Sequence, residues 1–340
     1  MMNRWTVQCR TATTMKGLAL LAVAAIASLT VPLGPSHAQH DDFPSRPITI
    51  VVPFTPGGSA DVLMRLVGQK LSESVKQPVL LDNRAGGGGN VGALAVKLAP
   101  PDGYTLFMAH TGTHAVNVTL YPDLKFDPIK DFQPITTLIS FPSILVVPAA
   151  SPAKTVAEFV VLAKTRPGGL SYASQGIGAS GHLLGEMFAR DAGARMVHVP
   201  YRGVALAITD LIAGRVDFLF SSPISAFAYV QDGRLRSLAI TGAARSSIFP
   251  DIATMTELGF PNLQLLTWFG IVGPAGIPAP IVKKLNEEFI RAAHSDAVTR
   301  MLESQATEVF TSTPEQFGAL MARDIVRLGK VVRESGAKAD

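Results

Sequence analysis

Short apolar runs alternate with amphipathic stretches along most of this chain, and that alternation confines it to the α/β class. Residues 48–54, ITIVVPF, read as a buried strand. Residues 60–74 follow as a helix, with Val62, Leu63, Leu66, Val67 and Leu71 on one face. Further strands are predicted over 79–81, 105–109, 143–147, 170–173, 196–199, 216–220, 238–241 and 268–272. Further helices are predicted over 90–98, 156–165, 181–192, 204–213, 224–230, 280–293, 297–304 and 314–334. Residues 122–134, rich in Pro and Asp, read as a loop. Strands that alternate with helices imply mostly parallel sheets flanked by helices. A length of 340 residues is enough for about two domains, each with its own core. No repeat or low-complexity linker divides them, so two lobes joined by crossing strands are expected.

The chain carries 30 Lys+Arg against 26 Asp+Glu, but Arg4, Arg10 and Lys16 fall within residues 1–38, which hold no acid. They precede an apolar run over 17–31, then Pro32, Gly34, Pro35 and Ser36-His37-Ala38. Positive flank, short apolar run and small residues at the end predict a secretory signal cut after Ala38. The run falls short of the ~20 residues that span a bilayer. Met15 offers an alternative translation start. The single cysteine, Cys9, leaves with the signal, which excludes a disulfide framework and a Cys-x-x-Cys zinc site. What remains has 27 basic and 26 acidic residues and lacks the basic footprint of a nucleic-acid binder. The expectation is an exported protein with small-molecule or protein partners.

Two glycine-rich turns stand where predicted strands lead into helices, the usual place for ligands in open α/β sheets. The first is Pro53-Phe54-Thr55-Pro56-Gly57-Gly58-Ser59-Ala60-Asp61; the second, about 120 residues on, is Ser174-Gln175-Gly176-Ile177-Gly178-Ala179-Ser180-Gly181-His182. Glycine lets the backbone approach a ligand, and free N–H groups at a helix start carry partial positive charge. Neither turn contains Lys or Arg, so an organic carboxylate held by main-chain amides and serine hydroxyls is the expected guest. Glycines at such junctions are also ordinary turn residues; it is their pairing in separate lobes that favours binding.

Other constellations carry less. Gly176 to Gly181 matches GxGxxG, but Val199-Pro200-Tyr201-Arg202 offers no acid where a dinucleotide ribose needs one. Gly86-Gly87-Gly88-Gly89 lacks the Gly-Lys-Ser/Thr of a phosphate loop. Ser180 and His182 could serve a hydrolase or lyase, although no GxSxG elbow surrounds them. His110 and His114 are four apart, but the intervening Thr-Gly-Thr argues against a helical zinc pair. Asp61 either caps its helix or fixes the Gly57-Gly58 turn. Asp217 either contacts ligand at a strand end or caps a turn. Trp268 reads as core.

At this point the chain resembles the periplasmic solute-binding proteins of tripartite tricarboxylate transporters, the Bug proteins. The resemblance runs from Phe43-Pro44-Ser45-Arg46-Pro47 to the last helices. It includes Asp82-Asn83-Arg84-Ala85-Gly86-Gly87, Pro101-Asp102-Gly103-Tyr104, Lys130-Asp131-Phe132, Tyr201-Arg202-Gly203 and Trp268-Phe269-Gly270. It implies a type II periplasmic-binding fold, with residues 39–140 and 265–340 in one lobe and 141–264 in the other. Hinges are expected near Ser140 and Gln264. By position it assigns Phe54, Gly57, Gly58, Ser59 and Asp61 to the ligand from the first turn. From the second turn come Ser174, Gly178, Ala179, Ser180 and His182, with Thr111 and His114 on a neighbouring loop and Asp217 across the cleft. Ala179 departs from the Ser or Thr usual in the family, so one hydroxyl donor is missing. The implied role is binding rather than catalysis. A monomer that delivers a small carboxylate or amino acid to membrane subunits is expected, without cofactor, metal or nucleic acid. An exported hydrolase or lyase and a solute sensor feeding a membrane signalling system remain as alternatives.

Overall fold

In the computed structural model, described for residues 43–340 except 247–249, 306, 336, 338 and 340, eleven strands form two sheets. The secretory signal expected over residues 1–38 lies outside the described residues. The first sheet is built on β1 (Ile48–Val52), a run of β-branched residues buried on both faces because helices cover both. β2 (Val79–Asn83) and β3 (Thr105–His110) flank it in parallel, with Ile48 opposite Val79 and Thr49 opposite Thr105. Beyond β3 lie β10 (Leu266–Pro274), β4 (Phe132–Pro142) and the short edge strand β11 (Glu308–Val309), all paired antiparallel.

The second sheet repeats the plan. β7 (Met196–Pro200), β6 (Leu170–Ser174) and β8 (Phe218–Ser221) are parallel neighbours, followed by β5 (Ile144–Pro148) and β9 (Leu235–Ile240) in antiparallel pairing. Each sheet is thus mixed, and its parallel part is the βαβ units. Between the strands run α1 (Ser59–Val75), α2 (Asn90–Lys97), the short α3 (Asn117–Leu120), α4 (Val156–Thr165), α5 (Ser180–Ala192), α6 (Val204–Ile212) and α7 (Pro223–Gln231). α8 (Ala279–Ala293), α9 (Asp296–Glu303) and α10 (Pro314–Ser335) complete the chain. α1 shows why the pattern is legible: Ala60, Leu63, Met64, Val67 and Leu71 form the buried stripe that a 3.6-residue period predicts.

Sequence reading misses β4, β11 and α3; the first residues of β4 fall in the stretch over 122–134 that reads as a loop. Pro134 fits because the ladder with β10 shifts register there: Thr136 faces Ile271 and Pro134 faces Val272. Proline is accepted at such irregularities, where no ladder donor is required. The segment after β3 also differs from expectation. Gly112–Val116 forms a wide π turn, so His114 stands in a helical segment after all, while His110 ends β3.

β4 and β10 carry the chain between the sheets. The first passes through Pro142 and Ser143 into β5, and the second is entered through residues 264–266. Thr241 ties the two crossings together. Its N–H donates to Ser143 O at 2.8 Å, and its hydroxyl donates to Leu265 O at 2.9 Å and accepts from Ser143 N at 2.9 Å. Ser140 lies inside the ladder, opposite Trp268 and Glu308, so the crossing falls beyond it. Hydrophobic packing does not follow the sheet division. Phe317 and Met321 of α10 pack with Phe107 and Trp268. Leu328 and Val332, further along the same helix, join Leu183 and Met187 of the second sheet's core, as do Ala115, Val116 and Leu120.

The Trp268 indole N–H donates to Asp324 Oδ2 at 2.9 Å, a carboxylate that is only 2% exposed and also faces Arg327. Asp324→Ala leaves that donor buried and unpaired, a loss of about 1–3 kcal/mol. Urea denaturation should show a lower midpoint for the variant; an unchanged midpoint would refute this account of how α10 is fastened.

Candidate functional site

Four helices begin at one place. α1, α5, α6 and α7 start at Ser59, Ser180, Val204 and Pro223, and the preceding residues Gly58, Ala179, Gly203 and Ser222 make no side-chain capping bond to them. α2, α3, α8 and α9 also lack a side-chain cap, so what sets these four apart is their convergence; α4, which starts away from this region, is closed by Thr155 Oγ1, which accepts from Glu158 N at 3.1 Å. A helix start exposes unpaired N–H groups and about half a positive charge. The four starts surround a small, partly open chamber, lined also by Phe54, His110, Phe141, Gln175, Thr267 and Phe269. No Asp, Glu, Lys or Arg lines it among the described residues.

The first turn is held from beneath by Asp61. Its carboxylate accepts from Gly57 N at 3.0 Å, Arg65 Nε at 2.9 Å and Asn83 Nδ2 at 3.1 Å. Burial opposes ionisation, but the bonds from Arg65, Gly57 and Asn83 outweigh it and hold the pKa below the ordinary value. Gly57 needs its φ of +86°, which other residues rarely adopt.

The second turn rests on a buried polar stack. Gly178 N donates to His182 Nδ1 at 3.2 Å, and the His182 ring stacks on His198 with centroids 4.1 Å apart. His198 Nε2 meets Ser174 Oγ at 2.6 Å, and Gly176 N donates to that same oxygen at 3.1 Å. Burial drives His198 down to about 3, with His182 adding to the shift, so it is neutral.

The two sheets meet at the chamber and at the open cleft beside it. Ser222 Oγ donates to Ser59 Oγ at 3.3 Å, Thr55 Oγ1 donates to Arg202 O at 3.0 Å, and Tyr121 OH donates to Ile177 O at 3.4 Å.

Of the residues singled out in the sequence, Phe54, Gly58, Ser59, Ala179 and Ser180 line the chamber. Gly57, Asp61, Ser174, Gly178 and His182 instead support the two turns. Three placements need correction. Asp217 precedes β8 and so sits at its amino end, away from the loops that follow the strands; it accepts from Ser171 N at 2.7 Å and pairs with Arg166. His114 is fully buried against Phe107 and Phe132, and burial lowers its pKa to about 3. Thr111 is also buried, its hydroxyl accepting from Trp268 N at 2.9 Å.

His110 occupies the wall instead. Its Nδ1 accepts from Gly112 N at 3.0 Å, which leaves the proton on Nε2, a buried atom with no partner. Burial lowers this ring to about 3 as well. Sequence reading also missed Gly203 and Ser222, although both precede helices as Gly58 and Ala179 do. A Ser180–His182 catalytic pair is not assembled, because Ser180 lines the chamber while His182 is buried with Nδ1 taken by Gly178.

A family model described as "Tripartite tricarboxylate transporter family receptor", TctC, matches residues 63–337. Protein BugT of Bordetella pertussis is 34% identical over 320 residues, 94% of this chain and 98% of that protein. Among solved structures, Rpa4515 of R. palustris with adipate matches with a TM-score of 0.83 and 34% identity, covering 87% of this chain and 99% of that one. MatC from Rhodopseudomonas palustris, with bound malate, matches with a TM-score of 0.82 and 32% identity over 85% and 100%. A periplasmic-binding fold with an uncharged chamber bordered by four helix starts, and a family match across most of its length, make this chain a member of the TctC family of tripartite tricarboxylate transporter receptors, to which the Bug proteins belong.

Proposed function

We propose that this periplasmic receptor captures a small carboxylate by the first-turn N–H groups of α1 and α5, assisted by the Ser59 and Ser180 hydroxyls. The starts of α6 and α7 add to the same positive field. One observation carries the reading: four helix starts without side-chain caps surround a chamber that has no charged side chain. A carboxylate satisfies those donors and takes up the potential they create. The bound adipate of Rpa4515 and malate of MatC agree with such a guest.

The receptor then closes on its solute. Groups from both sheets touch one ligand, so the closed form gains by its differential affinity. The crossings at Pro142, Ser143 and residues 264–266 serve as hinges. Residues 1–38 direct export and are removed, and the closed monomer delivers solute to the membrane subunits of its transporter. Ala179 contributes no donor to this grip: it lacks a hydroxyl, and its N–H donates to Gly176 O at 3.1 Å.

Unfolding and refolding residues 39–340 strips any trapped solute, after which organic carboxylates should raise the melting temperature. Gly203→Ala should abolish most of that shift. Its φ is +148°, and an added Cβ would lie 2.6 Å from Thr55 Oγ1 on the opposing turn. Absence of stabilisation by every carboxylate tested counts against capture, and a normal response in Gly203→Ala counts against closure at this contact.

Affinity should change less than about threefold between 50 and 500 mM NaCl, since no ion pair is available to screen. A steep salt dependence would exclude the amide grip.

Stability has its own pH signature. His110, His114 and His198 have native pKa values depressed to about 3, so the unfolded chain takes up protons first as the pH falls. Stability should be complete above about pH 6.5 and decline as the pH falls toward 3. The part lost between about 6.5 and 5 precedes carboxylate titration and belongs to the histidines. A urea midpoint that is flat over that interval would contradict their burial as neutral rings.

A further inference from the structure

The strands that cross between the sheets have two faces, and the chamber uses one of them. β10 and β4 pair Thr267 with Phe141 and Trp268 with Ser140. Successive side chains of a strand point to opposite faces. Thr267, Phe269 and Phe141 accordingly line the chamber, while Leu266, Trp268 and Ser140 line a groove of about 340 Å³ on the far face. Each sheet contributes one wall of that groove. Phe310, just after β11, and Leu320 and Arg323 of α10 stand on the side of the first sheet. Thr241 and Ala243, just after β9, stand on the side of the second.

We propose that this groove is the counterpart of the binding chamber: it narrows as the chamber opens, and its lining residues set the solute affinity without touching solute. The proposal rests on the hinge reading above and deepens it. A rotation about the crossings that parts two surfaces on one face brings together those on the other. Here the sheets are in contact on the chamber side, where Ser222 reaches Ser59 and Thr55 reaches Arg202 O. On the far side apolar surface is left in water, with Leu266 48% and Phe310 44% exposed.

Opening the chamber hides that surface, and burial of apolar area is favourable in proportion to the area hidden. The empty receptor thus has a driving force to open. Solute overcomes it through its differential affinity for the closed form. The charged groups of the groove pair among themselves, Asp324 with Arg323 at 3.7 Å and with Arg327 at 3.3 Å, so its narrowing leaves no charge without a partner. A large side chain placed in the groove has room while the chamber is closed and is squeezed as the chamber opens. Ala243 is exposed on the groove wall, so enlarging it there leaves the core intact.

Residues 39–340 contain no cysteine, so Gln69→Cys in α1 and Thr209→Cys in α6, both exposed and on different lobes, can carry a pair of spin labels. Pulsed electron resonance on the refolded, solute-free chain then reads the distance between lobes. Two populations are expected, and Ala243→Trp should raise the ratio of short-distance to long-distance molecules at least about threefold. Ala243→Ser, which adds little bulk, should leave the ratio unchanged. An unchanged or lowered ratio in Ala243→Trp, or an equal rise in Ala243→Ser, overturns the groove proposal and leaves the hinge standing. A single, identical distance with and without Ala243→Trp, in protein that is native by circular dichroism, overturns the proposal and the hinge reading together. No solute enters the measurement, so neither result bears on carboxylate capture.

Discussion

Main-chain donors at the start of a helix have no partner within the helix, and here four such starts border one partly open chamber. Each could have been closed by its own serine or threonine, as Thr155 closes α4. They are not, and the preceding residues Gly58, Ala179, Gly203 and Ser222 instead border a chamber. The positive field is therefore built from dipoles fixed in the fold, not from mobile charged side chains. Such a field needs no counter-charge in the empty protein, so the site does not incur the desolvation penalty that a buried Arg would bring.

Holding those dipoles in place is the task of groups that never line the chamber. Asp61 gathers Gly57, Arg65 and Asn83 around its carboxylate and so shapes the first turn. Beneath the second turn, Ser174, His182 and His198 form a hydrogen-bonded and stacked unit that orients Gly176 and Gly178. Neutral histidines suit this position, because a charged ring beside the chamber would replace a dipolar field with an ionic one. The two sets act alike although they share no chemistry: each converts a flexible glycine turn into a fixed array of N–H groups.

The same structure links the chamber to the rest of the molecule. Phe141 and Phe269 lie on the strands that cross between the sheets, and Thr241 ties those crossings together. α10 spans two of the hydrophobic clusters, with Phe317 and Met321 in one and Leu328 and Val332 in the other. Phe141 in the chamber wall thus adjoins Pro142, where the chain crosses between the sheets.

Local pattern alone determined most of the elements, the two-lobed plan and the two glycine turns. These depend on periodicity and on residues with strong backbone preferences, which act over a few positions. β4 escaped because Pro134 contradicts strand propensity and is accommodated by a register shift against β10, a strand far away in sequence. Side-chain roles were the weakest part of the reading. His110 and His114 look equivalent in sequence, yet the π turn places one on the chamber wall and the other among phenylalanines. Asp217 seemed to stand at a strand's ligand end and instead lies at the opposite end, paired with Arg166. Which helix starts converge, and which polar atoms are left facing one another, depends on how two sheets are brought together, and no window of neighbouring residues contains that information.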